Sequence, residues 1–197
     1  MVIGIYGGVG SGKSVVLQYL KERYDAVVIG MDETAHALYE KGRAGYVEVL
    51  SLLGTGVLNP DQTLNRGKMA ELLYKNPQLL RALNARIHPL VYRETERRIR
   101  EALPESALIA VETALPSPDG SDSIEEIWYV YTPKELRAER LRKNRGYTDA
   151  RIREIMEQQP DDRDYAALSD WVLENAEAPE ALFEKIDLRL AERGIRG

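Results

Sequence analysis

Residues 7 to 14, Gly7-Gly8-Val9-Gly10-Ser11-Gly12-Lys13-Ser14, follow the pattern G-x-x-x-x-G-K-S, directly after an apolar run, Val2-Ile3-Gly4-Ile5-Tyr6, that has the make-up of a buried strand. A strand, a glycine-rich turn and a helix in immediate succession leave few folds open. The glycines reach backbone angles closed to other residues, so several N–H groups turn inward around a phosphate, and the following helix adds its positive end. Gly8, Val9, Gly10, Ser11 and Gly12 therefore read as a cradle for the phosphates of a nucleotide. Lys13 is placed for the β- and γ-phosphates, and the Ser14 hydroxyl for Mg²⁺. The plainer alternative is a flexible surface loop. The strand before it and the helix-compatible segment Val15–Glu22 after it argue against that.

The remaining strand candidates are Ala26–Ile29, Ala107–Val111, Ile127–Tyr131 and Trp171–Leu173, each nearly continuous in apolar residues, as strands buried on both faces are. Helical stretches at Lys68–Leu73, Pro77–Arg86, Pro89–Leu103, Pro133–Asn144 and Asp149–Gln159 separate them. Strands alternating with helical crossovers predict a parallel α/β sheet. The gap between the second and third strands, roughly 75 residues, is too long for a simple crossover and reads as an inserted subdomain. Pro116-Ser117-Pro118-Asp119-Gly120-Ser121-Asp122-Ser123 reads as an exposed loop after the third strand.

Composition narrows the chemistry. Cysteine is absent from the 197 residues, which removes disulfides, thiolate metal ligands and a cysteine nucleophile. A net charge of −5 gives no overall attraction to nucleic acid or to an anionic membrane. The first strand begins at Val2, and no apolar run approaches the roughly 18 residues of a membrane span, so the expected setting is the cytoplasm.

A phosphate loop specifies a nucleotide and leaves the reaction open. Asp32, just past the second strand, is either a carboxylate at the ligand crevice, able to take a hydroxyl proton or hold Mg²⁺ through water, or the N-cap of a helix over Glu33–Tyr39. Glu112, at the end of the third strand, is either a magnesium carboxylate acting through water or a solvated strand end. Lys134, Arg137, Arg140, Arg142, Lys143, Arg145, Arg151 and Arg153 form a basic run that is either a solvated helical face or a lid closing over the nucleotide, with Gly146 as its turn. His36 and His88 are too isolated to form a metal pair, and each reads as a buried, hydrogen-bonded histidine. No Asn-Lys-x-Asp segment is present to read guanine.

Together with the phosphate loop, the segments Asp32-Glu33-Thr34-Ala35-His36, Thr63-Leu64-Asn65-Arg66, Asn76-Pro77, Leu83-Asn84-Ala85-Arg86-Ile87-His88-Pro89, Arg140-Leu141 and Arg145-Gly146-Tyr147, followed by Gln159, Asp170 and Asn175, resemble dephospho-CoA kinases in order and spacing. The resemblance covers most of the chain. It implies a nucleoside-triphosphate hydrolase-like fold of the phosphate-loop class: a five-stranded parallel sheet flanked by helices (core, about 1–37, 105–133 and 164–197), a helical acceptor-binding insertion (about 38–104) and a helical lid (about 134–163). The implied reaction is ATP-dependent phosphorylation of the ribose 3′-hydroxyl of dephospho-CoA, with Mg²⁺ and without nucleic acid or membrane as partner. On that resemblance Asp32, Lys13 and Arg140 are catalytic, Arg140 and Arg145 sit at the ATP phosphates, and Asp32, Arg66 and His88 serve the acceptor. The chain departs from the family's pattern at Tyr6, at Gly30 and in Pro116-Ser117-Pro118. Other readings of the same core are a nucleoside or sugar kinase, or a nucleotide-binding regulatory protein with little activity.

Overall fold

The computed structural model describes residues 1–113 and 122–197, so most of the loop expected at 116–123 lies outside the described residues. Five strands form one sheet: β1 (Val2–Tyr6), β2 (Val27–Gly30), β3 (Ile109–Thr113), β4 (Glu126–Tyr131) and β5 (Trp171–Glu174), in the order β2-β3-β1-β4-β5. β1 lies in the middle, parallel to both β3 and β4, and all five of its residues are buried. That burial explains its unbroken apolar run. β2 is an edge strand, and its Val27 and Val28 remain exposed.

One face of the sheet presents Ile3, Ile5, Trp128, Val130 and Leu173 to two helices, α1 (Lys13–Tyr24) and α9 (Pro179–Glu192). Leu182, Ile186 and Leu190 recur every fourth residue and so share one stripe of α9, which the sheet covers. On the other face Tyr6 joins Tyr129 and Tyr165, whose rings stack 5.0 Å apart. Tyr165 comes from α8 (Asp162–Ala167), a short helix opened by an Asp161 capping box. Between β4 and α8 lies a helical hairpin of α6 (Lys134–Arg145) and α7 (Asp149–Glu157), turned at Gly146 in left-handed conformation, φ 63°.

The chain divides into two compact units, Met1–Ile29 with Ile99–Gly197, and Gly30–Arg98. The second contains α2 (Met31–Leu38), α3 (Ala44–Leu53), a 3₁₀ turn (Thr55–Val57), α4 (Arg66–Tyr74) and most of α5 (Pro77–Ala102). Its core gathers Val49, Val57, Met69, Leu83, Ile87 and Val91.

Two expectations need correction. The pair of helices split near His88 is one helix of 26 residues with Pro89 inside it. Proline removes one hydrogen bond, to the Ala85 carbonyl four residues back, but Ala85 and Pro89 are both exposed, so water replaces the bond while the apolar stripe Leu83, Ile87, Val91 runs on unbroken. The second correction concerns Asp32. It is not a helix cap: α2 is capped by Gly30 in extended conformation, and Asp32 sits inside the first turn.

Candidate active site

After β1 the chain turns through Gly7, Gly10 and Gly12, whose φ angles of 151°, 83° and 98° lie in the region that strains other residues. Three glycines of the loop are also fixed by crowding, and a side chain on Gly7 would come within 2.8 Å of the Val130 carbonyl oxygen. A side chain on Gly8 would run into the Arg137 guanidinium, and one on Gly12 into the Asn175 amide. Gly12 caps α1 without a side-chain bond, and the first turn of α1 carries no acidic residue, so its positive end is left for a ligand.

Lys13 opens α1 and is 8% exposed. Its Nζ donates to the Gly7 carbonyl at 2.8 Å and lies 3.5 Å from Glu112 Oε1. The parallel register that sets Ile5 opposite Glu112 brings this carboxylate to the loop. Ser14 is exposed in the same turn. The Ser11 hydroxyl is buried and has no hydrogen-bond partner among the described residues. A buried hydroxyl without a partner is unfavourable, and a phosphate oxygen would supply an acceptor.

The loop is held from outside by residues far away in sequence. Thr132, just past β4, donates to the Ser11 carbonyl at 2.8 Å, and Asn175, just past β5, donates to the same oxygen at 2.7 Å. Arg137, 3% exposed, donates through Nε to the Val9 carbonyl at 3.1 Å and through Nη2 to Gln159 Oε1 at 2.9 Å. That same Gln159 oxygen accepts the Val9 N–H at 3.0 Å. Asp162 Oδ1 completes the group, 3.8 Å from Arg137 Nη1, while accepting the Tyr129 hydroxyl at 2.7 Å. Burial and the bond to Asp162 push the Tyr129 hydroxyl pKa far above its ordinary value, so it remains a donor.

The basic run divides by environment. Arg137 is the buried brace just described. Arg140 donates to Thr132 Oγ1 at 3.3 Å and to the Asn175 carbonyl at 3.1 Å, which sets its guanidinium beside the phosphate loop. Arg142 pairs with Asp149 across the Gly146 turn at 2.7 Å, and Arg151 pairs with Glu154, as on a solvated face. Arg145 is exposed at the end of α6. Lys13, Ser14, Glu112 and Arg140 are thus brought to one end of the sheet. Arg137 and Gln159, which hold the loop from behind, were legible only as one member of a charged run and one residue of the family pattern.

Asp32, Arg66 and His88 belong to the second unit. Asp32 is exposed in the first turn of α2, followed there by Thr34, whose buried hydroxyl donates to the Gly30 carbonyl at 2.8 Å. Arg66 is the first residue of α4, a helix capped by Asn65 Oδ1, which accepts the Lys68 N–H at 2.9 Å. Arg66 and His36 both line a cavity of about 570 Å³ within this unit. His88 lies on the exposed side of α5, its ring edge-on to Tyr92 at 6.5 Å. Neither histidine is buried, contrary to expectation, because each falls off the apolar stripe of its helix.

Among the described residues no cluster of three or more His, Cys, Asp or Glu can hold a metal ion by itself, and no helix is long and apolar enough to cross a membrane. A family model described as dephospho-CoA kinase matches residues 1–180. The chain is 33% identical over 189 residues to a dephospho-CoA kinase of Corynebacterium jeikeium, covering 95% of this chain and 96% of that one. It is 34% identical over 199 residues to a dephospho-CoA kinase of Anaeromyxobacter dehalogenans, covering 100% and 94% of the two chains. Among solved structures it is similar to that of TT1252 from Thermus thermophilus, with a TM-score of 0.77 and 28% identity over 98% of this chain and 97% of that one. The chain belongs to the dephospho-CoA kinase family.

Proposed function

We propose that this member of the dephospho-CoA kinase family transfers the γ-phosphoryl group of ATP to the ribose 3′-hydroxyl of dephospho-CoA, giving coenzyme A and ADP in the cytoplasm. The observation that carries the reading is a complete phosphate loop with a buried lysine, in a chain whose residues 1–180 match that family. The hydroxyl oxygen attacks the γ-phosphorus, and the P–O bond to the β-phosphate breaks with its electrons leaving on ADP. Asp32 takes the hydroxyl proton and releases it to solvent. In such a transfer the protein acts mainly by positioning and by neutralising charge. Lys13 supplies that charge at the β- and γ-phosphates, exchanging its bond to the Gly7 carbonyl for phosphate oxygens. Arg140, beside the loop, and Arg145, at the end of α6, add to it from the hairpin.

Mg²⁺ suits the donors present. This ion keeps several waters and takes one or two protein oxygens beside the phosphates of its nucleotide, so a hydroxyl and a nearby carboxylate suffice without a dedicated acidic cage. Ser14 would hold it directly and Glu112 through water, and its charge would offset that of the transferring phosphates. Arg66 and His88 are assigned to the acceptor.

The test is a panel. The protein is incubated with Mg-ATP and, separately, dephospho-CoA, adenosine, pantetheine phosphate and common nucleosides, and ADP release is followed. Rapid release with dephospho-CoA alone supports the assignment. Comparable turnover with a nucleoside or sugar and none with dephospho-CoA refutes it.

A further inference from the structure

β4 and β5 end side by side, with Tyr131 opposite Glu174, and the pairing runs one residue further, where the Asn175 N–H donates to the Tyr131 carbonyl at 2.8 Å. Thr132 and Asn175, which follow the two strands, are therefore neighbours. Both are buried, and both donate to the Ser11 carbonyl.

The direction of that carbonyl decides the direction of an N–H group. In a trans peptide the C=O and N–H of one plane point opposite ways. Two donors outside the loop hold the Ser11 oxygen outward, so the N–H of the same peptide, that of Gly12, is turned into the phosphate cradle. It donates to no group among the described residues. The Ser11 N–H, by contrast, is taken up by the Gly8 carbonyl at 3.1 Å, and the Val9 N–H by Gln159.

Thr132 differs from Asn175 in what stands behind it. A hydroxyl can accept and donate at once, and that of Thr132 accepts from Arg140 Nη1 at 3.3 Å. Its own proton has two carbonyls in reach, Ser11 at 2.8 Å and Asn175 at 3.0 Å, and takes the shorter path to Ser11. The hydrogen bonds thus run in one sense, from the Arg140 guanidinium to the Thr132 hydroxyl, then to the Ser11 carbonyl and across its peptide to the Gly12 N–H. Donors in such a series polarise one another, most strongly away from water, and Thr132 and Ser11 are each 1% exposed. Arg140 is steadied a second time by the Asn175 carbonyl, and a Cβ on Gly12 would lie 3.7 Å from its Nη1, so the cation heads the series at the same point where the N–H ends it.

We propose that Thr132 is a positioning residue that couples Arg140 of the hairpin to the Gly12 N–H, aiming that N–H at a phosphate oxygen of the nucleotide and strengthening it as a donor. The inference rests on the ATP site assigned above and names how the hairpin and the loop act together there. Asn175 by itself still holds the Ser11 carbonyl, so removing the hydroxyl cuts the link to Arg140 while the loop keeps its path.

The test compares Thr132→Val, which keeps the shape and loses the hydroxyl, with Thr132→Ser, which keeps the hydroxyl. By titration calorimetry, Kd for Mg-ADP should rise about tenfold or more with valine, the loss expected for a hydrogen bond to a charged group, and stay within about threefold of the parent with serine. In an Arg140→Ala background the same Thr132→Val change should raise Kd by about threefold or less, because the head of the series is already gone. A second readout needs no Thr132 variant to fold. With ¹⁵N-labelled glycine, the Gly12 amide proton of the nucleotide-free protein should move upfield on Arg140→Ala, as a less polarised N–H is less deshielded. Where Thr132→Val does fold, Arg140→Ala should move that resonance less than half as far in its background. Equal losses from Thr132→Val with and without Arg140, failure of serine to restore binding, or a Gly12 resonance indifferent to Arg140 overturns the inference. The resonance is read without nucleotide or turnover, so the inference can fail while coenzyme A is still formed. A protein that forms none is a failure of the assigned function alone.

Discussion

Replacing Gln159 by Leu tests whether the phosphate loop is braced from behind. The Gln159 oxygen accepts two hydrogen bonds, 3.0 Å from the Val9 nitrogen and 2.9 Å from the buried Arg137. Leu keeps the bulk and loses both acceptors. The bond from a neutral amide is worth about 1 kcal/mol and the bond from a charged group about 1.5–3 kcal/mol, so the loss is on the order of 2–4 kcal/mol. For a chain of this length each kcal/mol lowers the thermal midpoint by roughly 2–4 °C, which predicts a drop of roughly 4–16 °C by calorimetry. Because the lost bonds hold Val9 inside the loop, KM for ATP should rise while KM for dephospho-CoA stays constant. Gln159→Glu keeps both acceptor positions and faces a cation, so it should restore the midpoint and the ATP affinity. A leucine variant that melts within about 2 °C of the parent and binds ATP normally would show that this brace contributes nothing.

Lys13→Ala should lower kcat by roughly 10²-fold or more in a steady-state assay, since it removes a preorganised charge from the transferring phosphates. Asp32→Asn should lower kcat about 10²- to 10⁴-fold with ATP binding intact. Because Gly30 rather than Asp32 caps α2, the stability of this variant to unfolding should fall only by the loss of a first-turn charge, about 0.3–1 kcal/mol. Gly12→Ala forces a left-handed backbone on alanine and drives its methyl into Asn175, so it should destabilise the fold by about 1–3 kcal/mol, read from urea unfolding, and abolish ATP binding.

The five strands and the phosphate loop were legible because each is a contiguous signal. Burial on both faces forces an unbroken apolar run such as Val2–Tyr6, and the loop's chemistry sits within eight consecutive residues. Pro89 misled because its local rule, that proline breaks a helix, yields where the lost bond faces water and the opposite stripe keeps packing. Asp32 was left open between a cap and a site carboxylate because a cap is fixed by backbone angles, and extended Gly30 takes that place two residues earlier. Gln159 is 150 residues from the Val9 amide it meets, and Asn175 is 164 from Ser11. Only the sheet order, which sets β4 beside β1 and β5 beside β4, brings such residues to the loop. The cavity edged by Arg66 was equally hidden, since it needs α2 and α4 packed together.

The central claim, phosphoryl transfer to one hydroxyl of dephospho-CoA, is tested most directly by the identity of the product. After incubation with Mg-ATP and dephospho-CoA, ³¹P NMR should show a new phosphomonoester on the ribose 3′-oxygen, equal in amount to the ADP formed and absent with Asp32→Asn on the same timescale. ADP accompanied by inorganic phosphate alone, or a phosphoryl group on any other oxygen of the acceptor, would contradict the account.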